Sequence, residues 1–265
     1  MGTLLSPEVR VWLSAVVITL LLAPMSHADE SWQRVPALEA LLTDTTPLRD
    51  GLALDLPFVV DDGSAVAVGL NFSGTLQQDE YINALHLLAP GNPRSEVIAL
   101  QFHSPTASPA QINTRMRLSQ SQTVYLVAKS NQGRSWLASR EVRVTVSGCT
   151  VADPDARSLV SMETPRIALP NRLRQGQPAS IRTMINHPMD TGLDEDGQRV
   201  APANRVERLA VTSDQQPLLE VNFHGGTASN PYVLFHLVPE RSSTLEFTWQ
   251  DSAGNTVSEQ RALTL

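Results

Sequence analysis

Cys149 is the only cysteine in a chain of 265 residues. In an oxidising compartment a lone thiol cannot staple its own fold, so it is buried, pairs with another molecule, or carries a group. Cys149 follows Ser147-Gly148 at the end of the alternating run Val142, Val144, Val146 and precedes Asp153-Pro154-Asp155, a strand end opening into a linker. The thiolate is the reactive form, with an unperturbed pKa of about 8.5. Arg143 lies upstream of it while Asp153 and Asp155 lie downstream, so the neighbours supply no clear activation. That suits a thiol whose chemistry comes from partner enzymes. Sulfur bonded to sulfur exchanges with another thiolate, which makes such an adduct covalent yet removable. The competing expectation is a small apolar residue packed beneath the linker.

Other residues offer weaker chemistry. His187 and Met189 carry imidazole and thioether, the ligands of soft-metal sites. The remaining histidines are scattered, so the sequence predicts a strand end with His187 held extended by Pro188 and Met189 filling core space. A Cys149–His187 dyad has no third orienting group. The acidic run from Asp190 to Gly197 invites calcium, but with Gly197 at the sixth loop position the first and twelfth fall on Gly192 and Ala203, neither a carboxylate. A solvated turn is expected there. Gly225-Gly226 lacks the spacing of a phosphate loop. The sequence therefore points to no metal, no cofactor and no catalytic residue.

These residues sit in a chain that begins like an exported one. Arg10 gives a thin positive region, Val11 to Ala23 an apolar run, and Ser26-His27-Ala28 small residues where a signal peptidase cuts, so residues 1–28 are expected to be a signal peptide cleaved before Asp29. The apolar run contains Ser14 and breaks at Pro24, short of the roughly 20 residues a bilayer core requires. The rest of the chain exceeds the usual domain size of about 100 to 150 residues, so two domains are expected. A net charge of −7, with Lys129 the single lysine among 20 cationic residues, gives no basic footprint for nucleic acid or a membrane surface.

Spacing predicts the elements. Trp32, Val35, Leu38, Leu41 and Leu42 recur at helical intervals, placing a short amphipathic helix over Ser31–Leu42 with Pro36 in its first turn. Beyond it the texture is β. Leu54 to Asn71 is extended and interrupted by the turn Asp61-Asp62-Gly63-Ser64, and Ala84–Ala89 and Glu96–Phe102 flank Pro90-Gly91-Asn92-Pro93 as a hairpin. Val124–Lys129 and the Val142–Val146 run complete the first half. The alternation lapses between Ser147 and Thr164, then resumes with Ile181-Thr183-Ile185, Leu219-Val221-Phe223 and Leu245-Phe247-Trp249. Period-two patterning with one apolar face is what a half-buried sandwich strand requires. The expected fold is all-β: two immunoglobulin-like antiparallel sandwiches in tandem behind a short helix.

Three motifs in the second half exceed what strand patterning dictates: His187-Pro188-Met189-Asp190-Thr191-Gly192, Ala228-Ser229-Asn230-Pro231-Tyr232 and Thr244-Leu245-Glu246-Phe247-Thr248-Trp249. In this order they closely resemble SoxZ, a subunit of the carrier complex of microbial sulfur oxidation, over Pro165 to Leu265. The first half resembles the partner subunit SoxY, through Leu54-Asp55-Leu56-Pro57 to Gly63, the Thr114 to Val127 segment and Ser139 to Val146. That family ends in a Gly-Gly-Cys-Gly-Gly arm whose thiol holds the sulfur substrate. Here the matching residues are Ser147-Gly148-Cys149-Thr150-Val151, which keep the thiol and one of four glycines. Glycines free an arm to turn inside a partner's active site, whereas Thr150-Val151 is β-branched and stiff. The family arm is a free C-terminus, and this one is tethered at both ends by the fusion.

With the signal read at 1–28 and the linker carrying Cys149 at 149–163, the resemblance implies a SoxY-like sandwich with its helix over 29–148 and a SoxZ-like sandwich over 164–265. It implies a periplasmic, non-catalytic carrier with a small sulfur compound, such as thiosulfate, covalently attached at Cys149. Partners would be sulfur-oxidation or quinoprotein-type redox enzymes and c-type cytochromes. The fusion and the reduced arm also fit SoxYZ-like proteins associated with quinoprotein dehydrogenases. A two-sandwich interaction module with an incidental cysteine is the remaining alternative, with a thiol hydrolase behind it.

Overall fold

The computed structural model describes residues 31–43, 45–148, 162–190, 192, 198–199 and 202–265. The expected export segment, Cys149 with the linker after it as far as residue 161, and most of the acidic run after Asp190 lie outside those residues. Among the described residues no helix is long and apolar enough to cross a membrane.

The predicted N-terminal helix is present in two pieces, a 3-10 turn over Ser31–Arg34 and α1 over Pro36–Leu42. Pro36 has no N–H to continue a helix and biases the preceding residue toward extended backbone, so it starts a new helix instead of sitting within one turn of the first. Val35 accordingly adopts φ −101° and ψ 104°. α1 buries Leu38 and Leu42 against Leu88, Tyr125, Val127 and Leu137, a satellite core on the outer side of the first half.

The first half supplies β1 (Leu52–Asp55), β2 (Val59–Asp62), β3 (Val66–Phe72), β4 (Ile82–Leu88), β5 (Glu96–Phe102), β6 (Ala107–Met116), β7 (Gln122–Ser130) and β8 (Ser135–Val146). The second supplies β9 (Arg166–Ala168), β10 (Ala179–Met184), β11 (Val206–Ser213), β12 (Gln216–Phe223), β13 (Tyr232–Leu237), β14 (Ser243–Asp251) and β15 (Thr256–Leu263). The alternations read from the sequence face the core as expected: Ile181, Thr183 and Ile185, Leu219, Val221 and Phe223, and Leu245, Phe247 and Trp249 are all buried.

Each half is a sandwich, and the two are joined edge to edge through both layers. One sheet runs β1-β3-β6-β13-β10-β9, the other β15-β14-β11-β12-β5-β4-β7-β8-β2. The seams are β6 against β13 and β5 against β12, the latter in register from Leu219↔Phe102 to Phe223↔Ile98. Pairing across the seam leaves neither half with an open edge there, which for an isolated sandwich invites aggregation. A single hydrophobic cluster accordingly extends from Leu52 in the first half to Leu263 in the second.

Candidate functional site

The place from which the Cys149 segment departs is built by three backbone stretches that are remote in sequence. β8 pairs antiparallel with β7 and, along its last residues, parallel with β2, aligning Val60 with Val144 and Asp62 with Val146. The predicted turn after β2 forms, with Asp62 Oδ1 accepting the Ser64 N–H at 2.8 Å. Three hydrogen bonds then link the stretches in series. Gly63 N–H donates to Val146 O at 2.9 Å, Leu118 N–H to Gly63 O at 2.8 Å, and Gly148 N–H to Leu118 O at 2.8 Å.

The approach is so close that only glycine fits at two points. A Cβ on Gly148 would stand 1.9 Å from Gly63 O, and one on Gly63 would stand 2.1 Å from Leu118 O. Neither glycine is in the left-handed region, so it is space and not dihedral freedom that each provides. The sequence presents Gly148 as the one surviving flexible glycine beside the thiol; in the fold it is buried and hydrogen-bonded. Arg143, the upstream cation, lies over the Phe58 ring at 5.1 Å.

Leu118 is in turn held by the second half. Its neighbour Arg117 donates from the backbone to Gly226 O at 2.7 Å. Its guanidinium donates from Nη1 to Met189 O at 2.8 Å, and from Nη2 to Pro188 O at 3.0 Å and Ser229 Oγ at 2.8 Å. Asn230 closes the same knot, its side-chain oxygen accepting from His187 N–H at 2.9 Å while its own N–H donates to His187 O at 2.8 Å. Arg115 reaches Asn230 O at 2.7 Å. From the first half's hairpin loop, Asn92 donates to Arg117 O at 2.9 Å and accepts from Ser119 N–H at 3.0 Å. Two of the three motifs singled out in the second half, those around His187 and around Asn230, are therefore parts of one clasp on the segment that supports Gly148.

The other candidates resolve as structural groups. His187 is buried, and its Nδ1 accepts the Met189 N–H at 3.1 Å. Burial pushes the imidazole pKa down, against the opposing pull of the Asp251 carboxylate and a hydrogen bond with Asn204. The Met189 sulfur accepts the buried Val206 N–H at 3.2 Å. Both groups that suggested a soft metal are thus engaged within the protein. Among the described residues no group of three His, Cys, Asp or Glu side chains is placed to hold a metal ion. Asp190 turns back on itself, accepting the Gly192 N–H at 2.8 Å. Gly226 packs its Cα against Val97, where a Cβ would meet the side chain at 2.8 Å. Across the seam of the six-stranded sheet lies a cavity of about 810 Å³, lined among others by Asp55, Gly69, Arg115, Arg182, Met184 and Leu234.

Sequence reasoning alone misses Arg117, Gly63 and Leu118 as site residues. Arg117 gives a faint signal, as an apolar–basic alternation with Arg115 and Met116; Gly63 is legible only as a turn residue.

Comparison with known proteins agrees with the residue-level resemblance. The family model described as Sulfur oxidation protein SoxY matches residues 38–149, ending on the cysteine, and that described as Sulphur oxidation protein SoxZ matches residues 167–262. No curated protein matches the chain significantly. Among solved structures, superoxide reductase (neelaredoxin) from Ignicoccus hospitalis and two variants of it share 18% identity over 35% of this chain. They are covered over 78% or 79% of their length with a TM-score of 0.31, a likeness that carries no argument. SoxY and SoxZ are non-catalytic components of the sulfur-oxidation system, and the families imply a carrier role and interaction with sulfur-oxidation proteins. With both family models matched in succession over one double sandwich, the chain is a fused SoxY/SoxZ-like protein.

Proposed function

We propose that this protein is an exported, periplasmic carrier that holds a sulfur compound covalently on the Cys149 thiol and presents it to partner redox enzymes without catalysing a reaction itself. The observation that carries this reading is the coincidence of three facts at one position. The chain's only cysteine is the last residue of the SoxY match, and it directly follows a backbone anchor that both halves build. Joining the Cys149 thiolate to thiosulfate through a new S–S bond releases two electrons, which an oxidising haem protein of the c-type cytochrome class would accept. The bond so formed is open to thiolate exchange, which provides for unloading.

A second reading keeps the thiol but changes its partners, to a quinoprotein dehydrogenase system with a different cargo. Two observations favour it: both subunits are fused in one chain, and the arm Ser147-Gly148-Cys149-Thr150-Val151 retains a single glycine that the fold has put to another use.

Intact-mass analysis of protein purified from its native host tests carriage. A reductant-labile mass increase present in the wild type and missing from Cys149→Ser is the expected result. A thiol that stays unmodified in every growth condition would leave only an interaction module. The class of redox enzyme that co-purifies, haem protein or quinoprotein, decides between the two carrier readings.

A further inference from the structure

We propose that Gly148 is a fixed anchor and not a joint: Gly148, Gly63 and Leu118 form a backbone clamp, braced from the second half by Arg117, that fixes the point from which the thiol-bearing segment is launched. This deepens the carrier reading and rests on it for its biological meaning, although the clamp itself is a property of the fold.

A hinge glycine needs free dihedrals and room to swing. Gly148 is buried, its N–H is spent on Leu118 O at 2.8 Å, and its α-carbon faces Gly63 so closely that a methyl group would stand 1.9 Å from the carbonyl oxygen and 2.5 Å from Ser64 N. The hydrogen bond and the contact with Gly63 together fix the Gly148 N–H and α-carbon, and a turn about the N–Cα bond would swing the Gly148 carbonyl carbon toward Gly63 O. Gly63 is confined reciprocally, between Val146 O, which its N–H reaches at 2.9 Å, and Leu118, whose N–H it accepts at 2.8 Å. Leu118 has no freedom to yield either. The residue before it is hydrogen-bonded through backbone and side chain to Gly226, Pro188, Met189 and Ser229, and the residue after it to Asn92.

The SoxZ-like half thus acts on the arm through a chain of contacts. Its His187 and Asn230 motifs immobilise Arg117, Arg117 immobilises Leu118, and Leu118 holds the base of the arm. The backbone is thus held in place as far as the Gly148 α-carbon. Gly63 becomes a positioning residue for the thiol although it lies on a different turn.

Two measurements on the full chain test this. First, amide hydrogen exchange in the wild type: the Gly148 N–H is expected to be protected to within about tenfold of the Leu118 and Gly63 N–H groups, as members of one cooperative unit. A Gly148 amide that exchanges at the rate of an open loop, with Leu118 and Gly63 protected, overturns the proposal. Second, the rate at which the reduced Cys149 thiol exchanges with a small neutral disulfide, in Gly63→Ala and Gly148→Ala. The clamp predicts that both substitutions change the rate in the same direction by at least threefold, and that the double variant is no worse than the more severe single one. An effect confined to Gly148→Ala identifies a hinge and overturns the proposal. Should either variant fail to fold, the wild-type exchange pattern decides alone. Neither readout depends on cargo, so failure of the clamp and failure of the carrier reading remain separate results.

Discussion

Replacing Arg117 by Met should weaken the whole protein, because its guanidinium ties the segment after β6 to two loops of the second half. The side chain is half-buried and, among the described residues, donates hydrogen bonds to Met189 O, Pro188 O and Ser229 Oγ. A hydrogen bond involving a charged group contributes about 1.5–3 kcal/mol net, and an unsatisfied acceptor costs about 1–3 kcal/mol. The three do not add, since Ser229 Oγ still donates to Pro188 O at 2.8 Å after the guanidinium is gone. Met189 O is the acceptor left stranded, so a loss of about 3 kcal/mol is the reasoned magnitude. For a chain of this size that is a fall in Tm of about 6–12 °C. Arg117→Lys, able to restore one bond but not the fork, should recover part of the loss. Thermal unfolding followed by circular dichroism measures both, with Arg208→Ala as reference. Arg208 pairs with Glu220 on the surface, and removing an exposed pair should change stability by no more than about 1 kcal/mol. A Tm for Arg117→Met no lower than that of Arg208→Ala would refute the claim that the clasp bears on the fold.

Phe223 stacks on Trp249 at 5.5 Å and faces Ile98 across the seam, so Phe223→Ala should cost about 3–5 kcal/mol in urea unfolding; a loss below about 1 kcal/mol would contradict its placement. His86, His187 and His224 all have pKa values pushed down, chiefly by burial. The unfolded chain therefore binds more protons below about pH 6.5, so stability should be complete above that pH and fall as pH drops through it. A urea midpoint that stays flat or rises from pH 8 to pH 5 would contradict this sign. Finally, a chain cut between residues 155 and 156 and co-expressed as two pieces should co-elute as a one-to-one complex on gel filtration, because β5–β12 and β6–β13 still pair. Each piece alone exposes two edge strands and should aggregate.

Strands with strict alternation are legible because burial of one face leaves a period of two, as at Leu245, Phe247 and Trp249, all fully buried. β6 is not legible as a strand: Pro109 and a polar stretch mask it, and its pairing with β13 shifts register between Leu234 and His236. β11, β13 and β15 likewise escape the sequence reading. The alternation that marks β5 and β12 says which side chains face inward but nothing about which edges meet, so the continuous sheets are invisible in it. For the site, residue type locates Cys149 and family motifs locate His187 and Asn230, but not their purpose. Gly148 looks like a joint because its occluding partner, Gly63, is brought in by tertiary folding.

Loading of Cys149 is tested most directly on the tryptic fragment from Val144 to Arg157, which contains that cysteine. The protein is taken from its native host grown on a reduced sulfur compound, digested under non-reducing conditions and analysed by mass spectrometry. A carrier yields a fragment bearing extra sulfur that returns to the free-thiol mass on reduction. A fragment found only as the free thiol, whatever the sulfur source, would contradict carriage.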